Sequence, residues 1–140
     1  PIINHQFHFQ ERMMRDESRA NELEDRLIDF AVRVIKVANS LPRTPVGRHL
    51  AEQLLRSGTS PAPNYAEARG AESRADFAHK LKIAVKELNE TRVWRRMICR
   101  AELVKPSLLQ PLIVENDELC RILNSSVSTV RQQTPKPNHK

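Results

Sequence analysis

Residues 23–41 read LEDRLIDFAVRVIKVANSL. Apolar side chains recur here at alternating intervals of four and three residues, which aligns them along one face of an α-helix. These positions are Leu23, Leu27, Phe30, Val34, Val37 and Leu41. Ile28 and Ile35 stand beside this seam, and we expect them to widen the buried stripe. The stretch therefore predicts an amphipathic helix packed in a bundle.

Three further helices follow from local signals. Thr44 before Pro45 is typical of a helix start, and this second helix is expected to kink at Pro61 and Pro63, which lack an N–H group. Ser73 caps a third helix, Pro106 ends it, and Ser107 caps a fourth. The sequence predicts an all-α fold, an up-down-up-down four-helix bundle.

The 140 residues are enough for one domain with a hydrophobic core. We expect a flexible N-terminal segment at 1–16, the four-helix bundle at 17–130 and a disordered tail at 131–140. Aromatic residues make up only 4% of the chain and it has 3 glycines, which disfavours a β-sandwich or barrel.

Several classes of site and location are disfavoured. The sequence has neither a long apolar run nor a secretory signal, so we expect a cytoplasmic protein without a membrane span. Cys99 and Cys120 lack the spacing of a metal site, and the sequence does not decide whether they form a disulfide bond. No motif for catalysis, a metal or a cofactor is present, so we expect none of the three.

The net charge of +6 points to anionic partners. Between Arg43 and Lys105 there are 13 basic and 7 acidic residues, so the middle of the chain carries the whole surplus. Such a surplus is either an ordinary solvated surface or a face that binds polyanions.

Four separated blocks in this middle region resemble a known family. They are LLRSGTS at 54–60, NYAEA at 64–68, AESRADF at 71–77 and KELNETRVW at 86–94. Together they resemble the four-helix-bundle proteins encoded by intervening sequences in 23S ribosomal RNA genes, also described as ribosomal-protein-like, over about residues 23–127. Pro61-Ala62-Pro63 and Val93 depart from the family pattern.

The resemblance carries expectations about assembly and activity. The family is similar to the accessory proteins of diversity-generating retroelements, which form homopentamers with basic surfaces that engage nucleic acid and a reverse transcriptase. It therefore implies a homopentamer without established catalytic activity, with RNA, the ribosome or a protein as partner.

Two lines of residues on the third helix are candidate sites. Basic residues along its outer face are predicted to bind nucleic acid: Lys82, Lys86, Arg92, Arg95, Arg96 and Arg100. No aromatic residues are interleaved for base stacking, so recognition would depend on charge and shape. Ile83, Trp94 and Met97 are predicted to lie in a subunit interface. Intramolecular packing is the alternative for these three residues.

Other polar residues in the family blocks are expected to join helices. Ser57, Asn64, Glu67 and Glu90 are predicted to form interhelical hydrogen bonds that set the register.

The expected function is a non-enzymatic homo-oligomeric bundle that binds structured RNA or a ribonucleoprotein through a basic surface. The alternative is a protein-interaction scaffold that recruits a partner such as a polymerase without binding nucleic acid directly.

Overall fold

The computed structural model describes residues 2–133, with side chains described from residue 4. It contains α1 (Ile2–Ser40), α2 (Pro45–Thr59), α3 (Pro61–Arg69), α4 (Arg74–Arg100) and α5 (Pro106–Gln133). Because α2 and α3 are the halves of one bent helix, these elements form four helices. The predicted all-α four-helix fold is confirmed.

The helices pack in a closed ring. Both α1 and α4 contact the bent α2–α3 helix and α5, so α1 and α4 lie diagonally opposite each other. Arg95 lies against Asn116, and the Arg74 guanidinium bonds to the Gln133 carbonyl, so α4 and α5 run antiparallel. The contacts of α1 with α5 and of α2 with α4 are likewise antiparallel, so these neighbouring helices alternate in direction.

The bend between α2 and α3 lies where it was predicted. Pro61 and Pro63 have no N–H to donate to the carbonyls four residues earlier, so the helical hydrogen bonds are interrupted there. It resumes at Asn64, whose backbone N–H donates to the Ser60 carbonyl at 3.2 Å. The Asn64 side chain also donates to the Ser60 carbonyl at 2.9 Å, so Asn64 supports the bend instead of joining two helices.

Two of the three predicted helix caps are confirmed, whereas Ser107 is not a cap because α5 already begins at Pro106. The Thr44 hydroxyl accepts a hydrogen bond from the Gly47 backbone N–H at 3.0 Å, and the Ser73 hydroxyl accepts one from that of Asp76 at 3.1 Å. Each cap satisfies an amide that the first turn of its helix would leave unpaired.

The predicted seam of α1 forms part of the core. Side chains of every helix meet in one hydrophobic cluster, whose largest fully buried members are Phe30, Leu27, Leu54, Leu81, Leu88, Ile98, Leu109, Leu112, Leu119 and Leu123. Within residues 2–133 no helix has both the length and the apolar character required to cross a bilayer.

The start of α1 differs from the expectation. We predicted a flexible segment at 1–16, but the helix begins at Ile2. Residues 4–19 are nearly all exposed. Because this part of the helix buries no continuous face, it has no apolar period in the sequence. Its flexibility stays a prediction.

The predicted C-terminal tail, 131–140, is described only in part. The structure carries α5 to Gln133, so the first three residues of the tail are helical. The remainder, 134–140, lies outside the described residues.

Gly58 lets α2 approach α1 closely. A Cβ atom at this position would lie 2.6 Å from Cγ2 of Val34, well inside van der Waals contact. We expect Gly58→Ala to lower the free energy of unfolding by about 1–3 kcal/mol, although alanine is the better helix former. Denaturant titration followed by circular dichroism measures this loss.

Gly70→Ala is the matched control. Its added Cβ would come no closer than 3.6 Å to the Glu67 carbonyl oxygen, so we expect a change within about 0.5 kcal/mol. Adding Val34→Ala to Gly58→Ala should cost less than the two single changes together. Equal effects at the two glycines would contradict the close approach.

Candidate nucleic-acid and subunit interface on α4

A buried pair of hydroxyl groups joins α4 to α2. The hydroxyl oxygens of Ser57 and Thr91 lie 3.0 Å apart, and both side chains are completely buried. The Ser57 hydroxyl lies 2.9 Å from the Gln53 carbonyl, and that of Thr91 lies 2.8 Å from the Glu87 carbonyl. Buried polar groups are costly unless they are paired, so this contact favours one register between the helices. The prediction for Ser57 is confirmed.

A second buried polar contact joins α4 to α5. Arg95 Nε donates to Asn116 Oδ1 at 2.8 Å, and its terminal nitrogen donates to Asp117 Oδ1 at 2.8 Å. The side-chain amide of Asn116 then donates to the Leu88 carbonyl at 3.1 Å. Burial lowers the pKa of the Arg95 guanidinium, and the Asp117 carboxylate opposes that shift.

Arg95 therefore does not belong to the surface for which it was predicted. Only 4% of the residue is exposed, and its guanidinium is bound within the bundle. The spacing already contained this signal, because Leu88, Thr91, Arg95 and Ile98 follow one another at intervals of three, four and three. The prediction treated Arg95 as a surface cation and overlooked its spacing from these buried residues.

The other five predicted cations are exposed on α4, and we call them the basic line: Lys82, Lys86, Arg92, Arg96 and Arg100. Arg92 lies 3.9 Å from Asp117, a contact across to α5. Among the described residues, no carboxylate lies within 4.0 Å of the charged nitrogens of the remaining four. Their charge is therefore open to a partner.

Two of the three acidic residues of α4, Glu87 and Glu90, are turned towards α2. Arg56 binds Glu87 at 3.5 Å and also forms a close ion pair with Glu90. The hydrogen bond from Arg56 holds the pKa of the Glu90 carboxyl below its usual value. Arg56 thus pairs with both carboxylates on the α2 side of the helix, and the charge of Lys86 makes a smaller contribution to the lowered pKa of Glu90. Glu90 joins two helices as predicted, whereas Glu67 is exposed.

The three predicted interface residues differ in exposure. Met97 is 47% exposed, while Ile83 and Trp94 are half-buried. The Trp94 indole N–H donates to Glu90 at 3.2 Å, and its ring meets the His49 ring edge to face at 6.0 Å between centroids. Trp94 therefore has partners within its own chain.

Val93 joins Met97 on the exposed surface of α4. It is 48% exposed, and together with Met97, Arg96 and Arg100 it lines a shallow hollow. We call Val93 and Met97 the α4 apolar pair. In this hollow, apolar side chains lie directly beside the basic line.

Helix α1 presents a second exposed apolar surface. Ile28 and Ile35 do not widen the buried stripe as predicted, because they are 46% and 41% exposed. With the exposed Val32 they follow one another at intervals of four and three, and we call these three residues the α1 apolar line. The core seam already fills the space between α1 and its neighbours, so this line faces outwards.

A recess at the far end of the bundle has two of its three arginines engaged within the chain. Leu23, Tyr65 and Phe77 contribute to its lining. Arg26 binds Glu115 at 2.8 Å, and Arg69 binds Glu24 at 3.4 Å. Burial raises the pKa of Tyr65. These contacts join α1 to α5 and α3.

Metal-ligating residues are dispersed. In the described part of the chain, no three His, Cys, Asp or Glu side chains are grouped so that they could hold a metal ion. Cys99 is exposed, Cys120 is half-buried beside Asn89, and both are free thiols.

The burial of Arg95 leads to a stability prediction. Arg95→Ala removes the donor to Asn116 and leaves a buried acceptor unpaired, so we expect the free energy of unfolding to fall by about 2–4 kcal/mol. Arg96→Ala is the matched control on the exposed face and should change it by less than about 0.5 kcal/mol. Urea titration of both variants measures the difference, and similar losses would contradict the buried role of Arg95.

The chain has relatives by sequence and by structure. Residues 19–125 match the family described as 23S rRNA-intervening sequence protein. A crystal structure from Bacteroides thetaiotaomicron, described as a protein of unknown function from the S23 ribosomal protein family, has 35% sequence identity and a TM-score of 0.72. The match covers 78% of this chain and 97% of that one. No curated protein matches the chain.

The family match extends over most of the bundle described above and includes residues of all four helices. The chain belongs to the 23S rRNA-intervening sequence protein family.

Proposed function

We propose that this protein is a non-enzymatic homo-oligomer, with a pentamer as the expected state, that binds structured RNA or a ribonucleoprotein. The observation that carries the proposal is the basic line of α4. Five exposed cations follow one helix, and four of them have no carboxylate within 4.0 Å among the described residues. The 23S rRNA in the family description adds support for an RNA partner.

The chemistry of the basic line suits a phosphate backbone. Lys82 and Arg100 are separated by about 27 Å at the helical rise of about 1.5 Å per residue. Cations along such a length attract phosphates, and arginine binds them through paired N–H groups. The predicted recognition is therefore of charge and shape, with affinity that falls steeply as salt rises.

Self-association is supported by two different apolar surfaces. A closed ring of more than two copies uses a heterologous contact, in which one surface of a subunit meets a different surface of the next. The α4 apolar pair and the α1 apolar line are candidates for these two surfaces. Ile83 and Trp94 would lie at the edge of the contact, with Met97 at its centre.

Oligomerisation would strengthen a weak charged surface. Each copy adds another basic line, and a long RNA that reaches several copies gains avidity without any new contact. The proposal thus joins the two predicted lines of α4 in one mechanism: the apolar pair assembles the ring, and the basic line binds the RNA.

The RNA-binding half is tested by changing Lys82, Lys86, Arg96 and Arg100 to Gln. Removing four phosphate contacts should abolish binding at moderate salt and make the slope of log K against log salt shallower by about three. Titration of a fluorescent RNA stem–loop at several salt concentrations measures both effects.

The matched control changes four exposed cations elsewhere, Arg12, Arg15, Arg19 and Arg121, to Gln and should bind almost normally. Helicity and mass are compared for all forms. Equal losses in the two quadruple variants would indicate a general charge effect. No binding of RNA by the unaltered protein would favour the protein scaffold.

The assembly half is tested by Met97→Asp. A charge at the centre of an apolar contact is costly to bury, so we expect the oligomer to dissociate into smaller species. Native mass spectrometry over a dilution series measures the change. Val114→Asp, at an exposed apolar residue on α5, is the control and should keep the original mass. An unchanged mass for Met97→Asp would contradict the interface.

A further inference from the structure

One end of the bundle collects cations from different elements. Because the helices alternate in direction, the end of α1, the start of α2, the end of α4 and the start of α5 lie together. We call residues 36–50 and 96–110 the basic pole. Its exposed cations are Lys36, Arg43, Arg48, Arg96, Arg100 and Lys105. Glu102 is the single acidic residue in these two ranges.

The opposite end has a different balance of charge. Residues 16–26, 64–80 and 118–133 contain nine acidic and seven basic residues. Several of those arginines are engaged within the chain, including Arg69 with Glu24 and Arg26 with Glu115. The surplus of positive charge is therefore concentrated along α4 and at the basic pole.

The cations of the pole are not held by carboxylates. In the described part of the chain, none of the six has a carboxylate oxygen within 4.0 Å of its charged nitrogens. The Arg48 guanidinium makes only a long contact of 3.4 Å to the Arg43 carbonyl. These side chains can therefore turn towards a ligand without breaking an ion pair.

The pole forms one surface with the end of the basic line. Ser40 at the end of α1 and Lys105 before α5 line the same groove. His49 of α2 packs against Trp94 of α4, which places the start of α2 beside the last two turns of α4. The cations of the loops and those at the end of α4 thus lie at the same end of the bundle.

Glu102 has an unusual place in this surface. Its φ of 54° is in the left-handed region, where glycine is favoured at the end of a helix. The Leu103 N–H bonds to the Ile98 carbonyl at 3.3 Å and the Glu102 N–H to the Cys99 carbonyl at 3.1 Å, so the turn ends α4 tightly. This turn presents a single carboxylate among six cations.

We propose that the basic pole is a second docking surface for the phosphodiester backbone of RNA, continuous with the basic line through Arg96 and Arg100. The inference rests on the proposed function, because it assigns further contacts to the same ligand. In a cyclic oligomer, equivalent poles lie at one height along the symmetry axis, so they would form a ring of positive charge. RNA would then bind one end of the assembly as well as its side.

The test changes Arg43, Arg48 and Lys105 to Gln and leaves the basic line intact. If the pole binds phosphates, the affinity for an RNA stem–loop should fall at least about tenfold at low salt, and the salt slope should become shallower by about two to three. Arg12, Arg15 and Arg19 changed to Gln is the matched control of equal charge and should bind within about twofold.

Glu102→Gln is expected to raise the affinity for RNA, whereas a misfolded variant would lose affinity. Removing the one carboxylate of the pole should tighten RNA binding by about twofold to fivefold at low salt, with less effect at high salt. Gln keeps the size of the side chain, so the turn that ends α4 is retained. Unchanged or weaker binding would contradict the inference.

The outcomes separate the two proposals. If the unaltered protein binds no RNA, both fail. If changing Lys82 and Lys86 to Gln weakens binding while the pole variant binds like the control, RNA binding stands and the pole is overturned. If the pole variant and the variant at Lys82 and Lys86 both lose affinity and the control does not, the pole is supported.

Discussion

The buried polar contacts of α4 are the constraint on which the surface of this protein depends. Thr91 meets Ser57 of α2, and Arg95 meets Asn116 of α5, both inside the bundle. A small shift of the helix would exchange one apolar contact for another at little cost in free energy. The same shift would leave a buried arginine or hydroxyl without its hydrogen-bond partner and away from water. These contacts hold α4 at one rotation and one height, and that rotation turns the basic line outwards.

A helix held in this way can serve two purposes at once. Its carboxylates Glu87 and Glu90 are paired with Arg56 on the α2 side, while its unpaired cations lie on the outer face. The apolar pair lies beside these cations, so the proposed assembly and the proposed RNA binding would use adjoining surfaces of one helix. Alternating helix directions then bring the loop cations to one end of the bundle, where they extend the charged surface.

Much of the fold was predictable because a helix face that is buried carries apolar residues at intervals of three and four. The seam of α1, the caps at Thr44 and Ser73 and the bend at Pro61 each depend on a few neighbouring residues. The predictions for Ile28, Ile35 and Arg95 were wrong because they followed residue type. The helical positions instead expose the two isoleucines and bury the arginine. The first turns of α1 bury no continuous face, so their sequence lacks the apolar spacing that predicts a helix. Exposure of the basic line was predictable, whereas the basic pole combines distant segments and required the fold.

RNA bound as proposed would cover the α4 face and the adjoining pole. Lysine acylation followed by mass spectrometry tests this coverage in one experiment, on the unaltered protein with and without an RNA stem–loop. Lys82, Lys86 and Lys105 should lose reactivity when RNA is added. Lys80 lies on a different side of α4, where it binds Asp76 at 3.6 Å, and should react at an unchanged rate. Equal protection of all four lysines, or protection of Lys80 alone, would contradict the account.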